Sequence, residues 1–263
     1  MIYNTINKYF IRQILTIMKR VFLLAFLFVV FSVGAYSQKT YALVCGVSKY
    51  DDPTGSCVNL TYPAKGAKTI KKVYTKAGFI TALLTSQHVT ESNIMEKLNA
   101  IIKIAKPEDR IIFQFIGHGS TGNIHLYQGT AFSYTELMST LSKARTDKIF
   151  CIIDACQSGS AIKIADSNYK ELEGAKPAFL MACRPNESTL ETCVLASPVF
   201  TLALAKGLRG HADANNDKKV TLMELFRYVH SDMVNRGNSL GISLHPQLLG
   251  SNNLFHTVLT VVK

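Results

Sequence analysis

The chain reads as an α/β fold built on a mostly parallel central sheet. Apolar, strand-like runs alternate with helix-period segments from Thr40 to Gly210, the pattern of βαβ units joined by right-handed crossovers. The runs TYALVCGV and IFCIID are apolar nearly throughout, as strands covered on both faces are. Two strand-like runs end on residues able to do chemistry, His118 and Cys156, and parallel sheets gather their functional residues at that carboxyl edge.

The amino terminus is of a different kind. Lys19 and Arg20 precede the apolar run VFLLAFLFVVFSVGA, which leads to AYS and Gln38. A basic start, an apolar middle and small residues before the cut predict a secretory signal peptide over residues 1–37, with Met18 as an alternative start. The run is short for a span of about 20 residues, so removal is expected rather than stable membrane insertion. A secreted or periplasmic domain over 38–263 follows. Cleavage removes four cations and no acid, lowering the formal net charge from +11 to +7. No dense Lys/Arg block with interleaved aromatics remains, which argues for solubility and against a nucleic-acid partner. All six cysteines lie in the expected mature chain, and none forms a CxxC metal pair.

Each element has its own warrant. TYALVCGVSKY is the first strand; then Ala67, Ile70, Val73, Tyr74 and Ala77 share one helical face that Gly78 ends. ITALLTS is a second strand. Thr90 caps a helix whose Ile94, Leu98, Ile101 and Ile102 repeat at helical spacing before Pro107. DRIIFQFIGHGS is the third strand, followed by a Gly-containing loop and a Ser133-capped helix to about Ala144. KIFCIID is the fourth strand, PAFLMACRP the fifth, and SPVFTLALAKGLRG a helix with Pro198 near its start and Gly210 past its end.

The chemistry centres on GHG and DACQSG. A thiol needs a base or an electropositive setting to act as a nucleophile near neutral pH. An imidazole on a neighbouring strand end supplies the base and later protonates a leaving amine. His118 and Cys156 are the candidate catalytic pair, and the N–H groups of Gly119 and Cys156 are the candidate oxyanion donors.

These residues resemble the caspase-fold cysteine peptidases, closest in style to the bacterial caspase-like and metacaspase-like proteins. The likeness runs through YALVCGVSKY, LTYPAKGAKTIKKVYTKAGF, DRIIFQFIGHG, IFCIIDACQSGS and SPVFTLALAKGL. It implies a caspase-like αβα sandwich, a His118/Cys156 dyad and a peptide or protein substrate. DACQSGS is also similar to the cysteine motif of legumain-like peptidases and the glycolipid-anchor transamidase subunit, which implies activity on small polar residues instead. A catalytically silent peptide-binding module of the same fold is the reading from another class. By resemblance, Asp154 lines the pocket for a basic residue before the scissile bond. The chain departs from the pattern in three places. The dyad spacing is 38 residues against roughly 50 in caspases, Gly66 stands where a second pocket acid is expected, and Ile116 replaces a serine. The family also places activating cleavage in the segment Ser160 to Pro177, which carries Lys163, Lys170 and Lys176.

Other candidates read more simply. His125 is a hairpin residue and Cys183 a structural thiol closing a strand. Asp213, Asn215, Asp217 and Glu224 occupy positions 1, 3, 5 and 12 of a calcium loop, with Lys218 where glycine belongs. The competing reading is a capping box between Thr221 and Glu224. The chemistry itself requires no cofactor, and calcium is the one candidate ligand. Oligomeric state is left open.

Overall fold

The computed structural model describes residues 18–19, 38–155, 158–161, 176–184 and 199–262. Cys156, Lys163, Lys170 and the expected signal segment, apart from Met18 and Lys19, lie outside the described residues. The chain divides into a unit over residues 1–38 and one over 39–263, and the second carries the fold. Among the described residues no helix is long and apolar enough to cross a membrane.

Strand β1 (Thr40–Gly46) is buried at every position, because parallel strands flank both edges and a core covers each face. These are β2 (Ile80–Thr85) and β3 (Arg110–Gly117). Beyond β3 lie β7 (Ile149–Ala155) and β8 (Ala178–Met181), both parallel, and an antiparallel edge strand, β10 (Gln247–Leu249). The order is β10-β8-β7-β3-β1-β2.

Alternation along the strands builds two separate cores. Leu43, Cys45, Phe113, Phe115, Cys151 and Ile153 face helices α2 (Glu91–Ile104) and α3 (Tyr134–Leu141). Their even-numbered neighbours, including Val44, Ile112, Ile116 and Ile152, face the other layer. That layer is α1 (Pro63–Lys76), α4 (Val199–Lys206) and α5 (Leu222–Leu240). Period-two side-chain geometry thus turns one continuous apolar run into a sheet covered twice. The result is the expected αβα sandwich.

Caps place the helices as the sequence predicts. Thr90 accepts from the Asn93 N–H, and Ser133 from the Glu136 N–H. Thr221 and Glu224 form a reciprocal capping box at the start of α5. Ala77 differs from its expected place on the buried face: it is the exposed C-cap of α1, because the helix stops one residue earlier.

The expected loop after His118 is a small antiparallel sheet of β4 (Gly119–Ser120), β5 (Asn123–His125) and β6 (Ala131–Ser133). Strands of two and three residues are too short to display a period. A ribbon of β9 (Lys219–Thr221) with β11 (Val258–Val261), and the short α6 (Asn252–Phe255), complete the carboxyl-terminal part.

Candidate active site

The β3–β7 register pairs Ile116 with Asp154 and Gly117 with Ala155. His118 is the next residue on one chain segment, and Cys156 directly follows Ala155 on the other. A second tie joins the two segments. The Gly122 N–H, past His118, donates to the buried Ser160 Oγ at 2.9 Å, in the turn Ser158–Ser160.

The loop between β1 and α1 clamps His118. Tyr50 Oη accepts from the His118 backbone N–H at 2.8 Å, and the two rings lie 4.9 Å apart, tilted by 45°. The Val58 carbonyl lies 2.8 Å from His118 Nε2. A carbonyl only accepts, so Nε2 carries the proton and the neutral ring keeps Nδ1 as a bare acceptor. Gly117 is required for this arrangement, since a Cβ there would sit 2.7 Å from Tyr50 Oη. Tyr50 is itself anchored through its backbone N–H to Asn59 Oδ1 at 2.7 Å. Sequence reasoning missed Tyr50, Val58 and Ser160. Val58 acts through its backbone, which no side-chain motif can report.

Gly119 is presented by β4. The His125 N–H donates to the His118 carbonyl at 3.0 Å, so the Gly119–Ile124 pair beside it is a non-hydrogen-bonded one. The Gly119 N–H therefore points away from β5. Ile124, opposite, is fully buried in the core.

Asp154 sits on the α1/α4 side of the sheet. Thr201 Oγ1 of α4 donates to its carboxylate at 2.6 Å. A Cβ on Gly66 would lie 3.3 Å from Thr201 and 3.4 Å from Ile116, so the positions singled out by resemblance converge around this acid. The residue keeps partial contact with solvent while its carboxyl group lies deep in packed protein. Burial pushes its pKa up to about 6, against the opposing effect of the Thr201 bonds. Among the described residues no cation is paired with it.

Cys183 Sγ packs 3.5 Å from the Ala155 carbonyl and 3.6 Å from Ser158 Oγ, a buried thiol closing β8. Cys45, Cys57 and Cys151 are buried free thiols, and burial pushes all three upward in pKa. In the 213–224 loop, Asp213, Asn215 and Asp217 accept backbone N–H groups from Lys218, Asp217 and Lys219 at 2.9, 3.0 and 2.8 Å. Glu224 Oε2 accepts from the Thr221 N–H and Oγ1 at 2.9 and 2.7 Å. Lys218 takes the left-handed φ of 63° at the loop position that favours glycine. Among the described residues no three His, Cys, Asp or Glu side chains gather as a metal-ligand set.

The sheet order, the two helical layers and the paired strand ends define a caspase-like α/β sandwich. Over residues 57–241, more than half of its length, the chain matches the peptidase C13 family. It belongs to that family, which places it among the cysteine peptidases of caspase-like fold. In fold it is similar to a crystal structure of a protein from Geobacter sulfurreducens, with a TM-score of 0.61 and 16% identity. That likeness covers 86% of this chain and 100% of the other. No curated protein matches the chain.

The raised pKa of Asp154 has a consequence for stability. Between the unfolded value near 4 and the folded value of about 6, the folded chain binds more protons, so stability falls as pH rises through that window. Asp154→Asn should abolish this fall, leaving the variant more stable than wild type at pH 7.5 by on the order of 2 kcal/mol, with no such gain near pH 4. Thermal unfolding at both pH values checks this; an equal shift at both contradicts it.

Proposed function

We propose that the chain is an exported cysteine endopeptidase, with Cys156 as nucleophile and His118 as general acid and base. The observation that carries this reading is the β3–β7 register, which ends on Gly117 and Ala155, each one residue short of the pair. His118 Nδ1, left bare by the Val58 contact, takes the thiol proton. The thiolate adds to the scissile carbonyl carbon, and the N–H groups of Gly119 and Cys156 hold the oxyanion. Collapse expels the amine, which receives the proton from His118. Water, deprotonated by the same ring, then hydrolyses the thioester. No cofactor enters these steps. The signal-like segment at residues 1–37 supports export, and the substrate is a peptide or protein.

Asp154 supports a preference for a basic residue before the scissile bond. A buried carboxylate without a cation is costly, and a substrate Lys or Arg would compensate it. A second reading is favoured by the family match: a legumain-like preference for small polar residues. A protonated Asp154 could donate to a carboxamide oxygen and accept from its nitrogen.

The two readings have opposite pH dependence. Cleavage after Lys or Arg should rise as pH passes about 6 and Asp154 ionises, whereas cleavage after Asn should fall. Profiling kcat/KM on both substrates across pH 4.5–8, with and without calcium, decides between them. A profile unchanged in Asp154→Asn removes this acid from the pocket.

Cys156→Ala should abolish turnover while the fold remains. His118→Ala should cost at least about 10³-fold, and the double variant little more, because the pair acts as a unit. Purified mature chain tested on a positional peptide library reads all three. Wild-type-like hydrolysis by either single variant would falsify the dyad.

A further inference from the structure

The hairpin beyond His118 carries a second, unused pair of polar side chains. His118, the residue just before β4, stands opposite His125 of β5, joined by the 3.0 Å backbone bond. Residues two apart share a face, so Ser120 lies on the same side of the ribbon as His118, with His125 diagonal to it. Ile124, on the opposite side, is in the core. The face bearing His118, Ser120 and His125 keeps partial solvent access.

The hydrogen bonds fix what this face can offer. His125 Nδ1 lies 3.3 Å from the Gly129 carbonyl, and its Nε2 lies 2.9 Å from Ser120 Oγ. The carbonyl can only accept, so in the neutral ring Nδ1 carries the proton and Nε2 is bare. Ser120 must then donate its hydroxyl proton to Nε2. With that proton committed, the serine oxygen keeps only lone pairs for a further partner. It is an acceptor two residues along the chain from His118.

We propose that Ser120 accepts a hydrogen bond from the first main-chain N–H beyond the scissile nitrogen, and that His125 is the positioning residue that holds Ser120 in its acceptor state. This rests on the peptidase reading, because His118 must face the leaving nitrogen to protonate it. The segment leaving with that nitrogen then runs along the face where Ser120 follows, about 7 Å further along the strand. The ligand class is an extended peptide on the leaving-group side, recognised through its backbone rather than its side chains. Selectivity there should accordingly be broad.

A substrate cycle tests the contact. Two peptides are compared that differ only at the first peptide link beyond the scissile bond, an N–H in one and an ester oxygen in the other. Wild type should lose roughly five- to tenfold in kcat/KM on the ester-containing peptide, the worth of one hydrogen bond. Ser120→Ala should show the same loss on the amide peptide and no further loss on the ester. His125→Leu should behave like Ser120→Ala, whereas His125→Gln, which keeps an acceptor for the serine hydroxyl, should recover most of the discrimination. Losses that simply add, or discrimination that survives in Ser120→Ala, overturn the contact while leaving the peptidase intact. Absence of turnover on every peptide, with no labelling of Cys156 by an acyloxymethyl ketone, overturns the underlying reading itself.

Discussion

The parallel pairing of β3 with β7 runs from Ile111 against Ile149 to Gly117 against Ala155, and the proposed dyad depends on that register. A slip of one residue would send Phe113 and Phe115 into the α1/α4 layer and bring Ile112 and Ile116 to the α2/α3 layer. Both cores resist this, since each strand contributes large side chains to both. The geometry of the proposed dyad is therefore held by packing along the strands, and only the residue that follows each strand end is released to chemistry. The Gly122–Ser160 bond then ties the two emerging turns together.

On the α1/α4 side of the sheet, two polar side chains come from the strands themselves. Gln114 lies in the middle of β3, its Oε1 accepting from Tyr74 Oη at 2.7 Å and its Nε2 without a partner among the described residues. Among the described residues Asp154 is held by Thr201, and burial raises its pKa to about 6. An unpaired buried acid costs stability. The proposed pocket role of Asp154 would offset that cost when substrate binds, a trade expected at a functional site.

The layers, strand ends and caps were legible because each rests on a local signal. Thr90, Ser133 and Thr221 cap through their own side chains, and β1 announces its burial by composition. What was not legible depends on the third dimension. Tyr50 reaches His118 across 68 positions and Val58 across 60, the second through a carbonyl that every residue possesses. The β4–β6 ribbon and the β9–β11 pair use strands too short for alternation to register. Ser120 and His125 form one unit only when the hairpin closes, so His125 alone carries no signal of its role.

The central claim is that His118 activates Cys156. The rate of Cys156 alkylation by iodoacetamide as a function of pH, in wild type and in His118→Ala, measures this most directly, because only the thiolate reacts. The account predicts a wild-type titration well below the ordinary thiol value of about 8.5, moving back toward that value in His118→Ala. An ordinary titration in both proteins would contradict it.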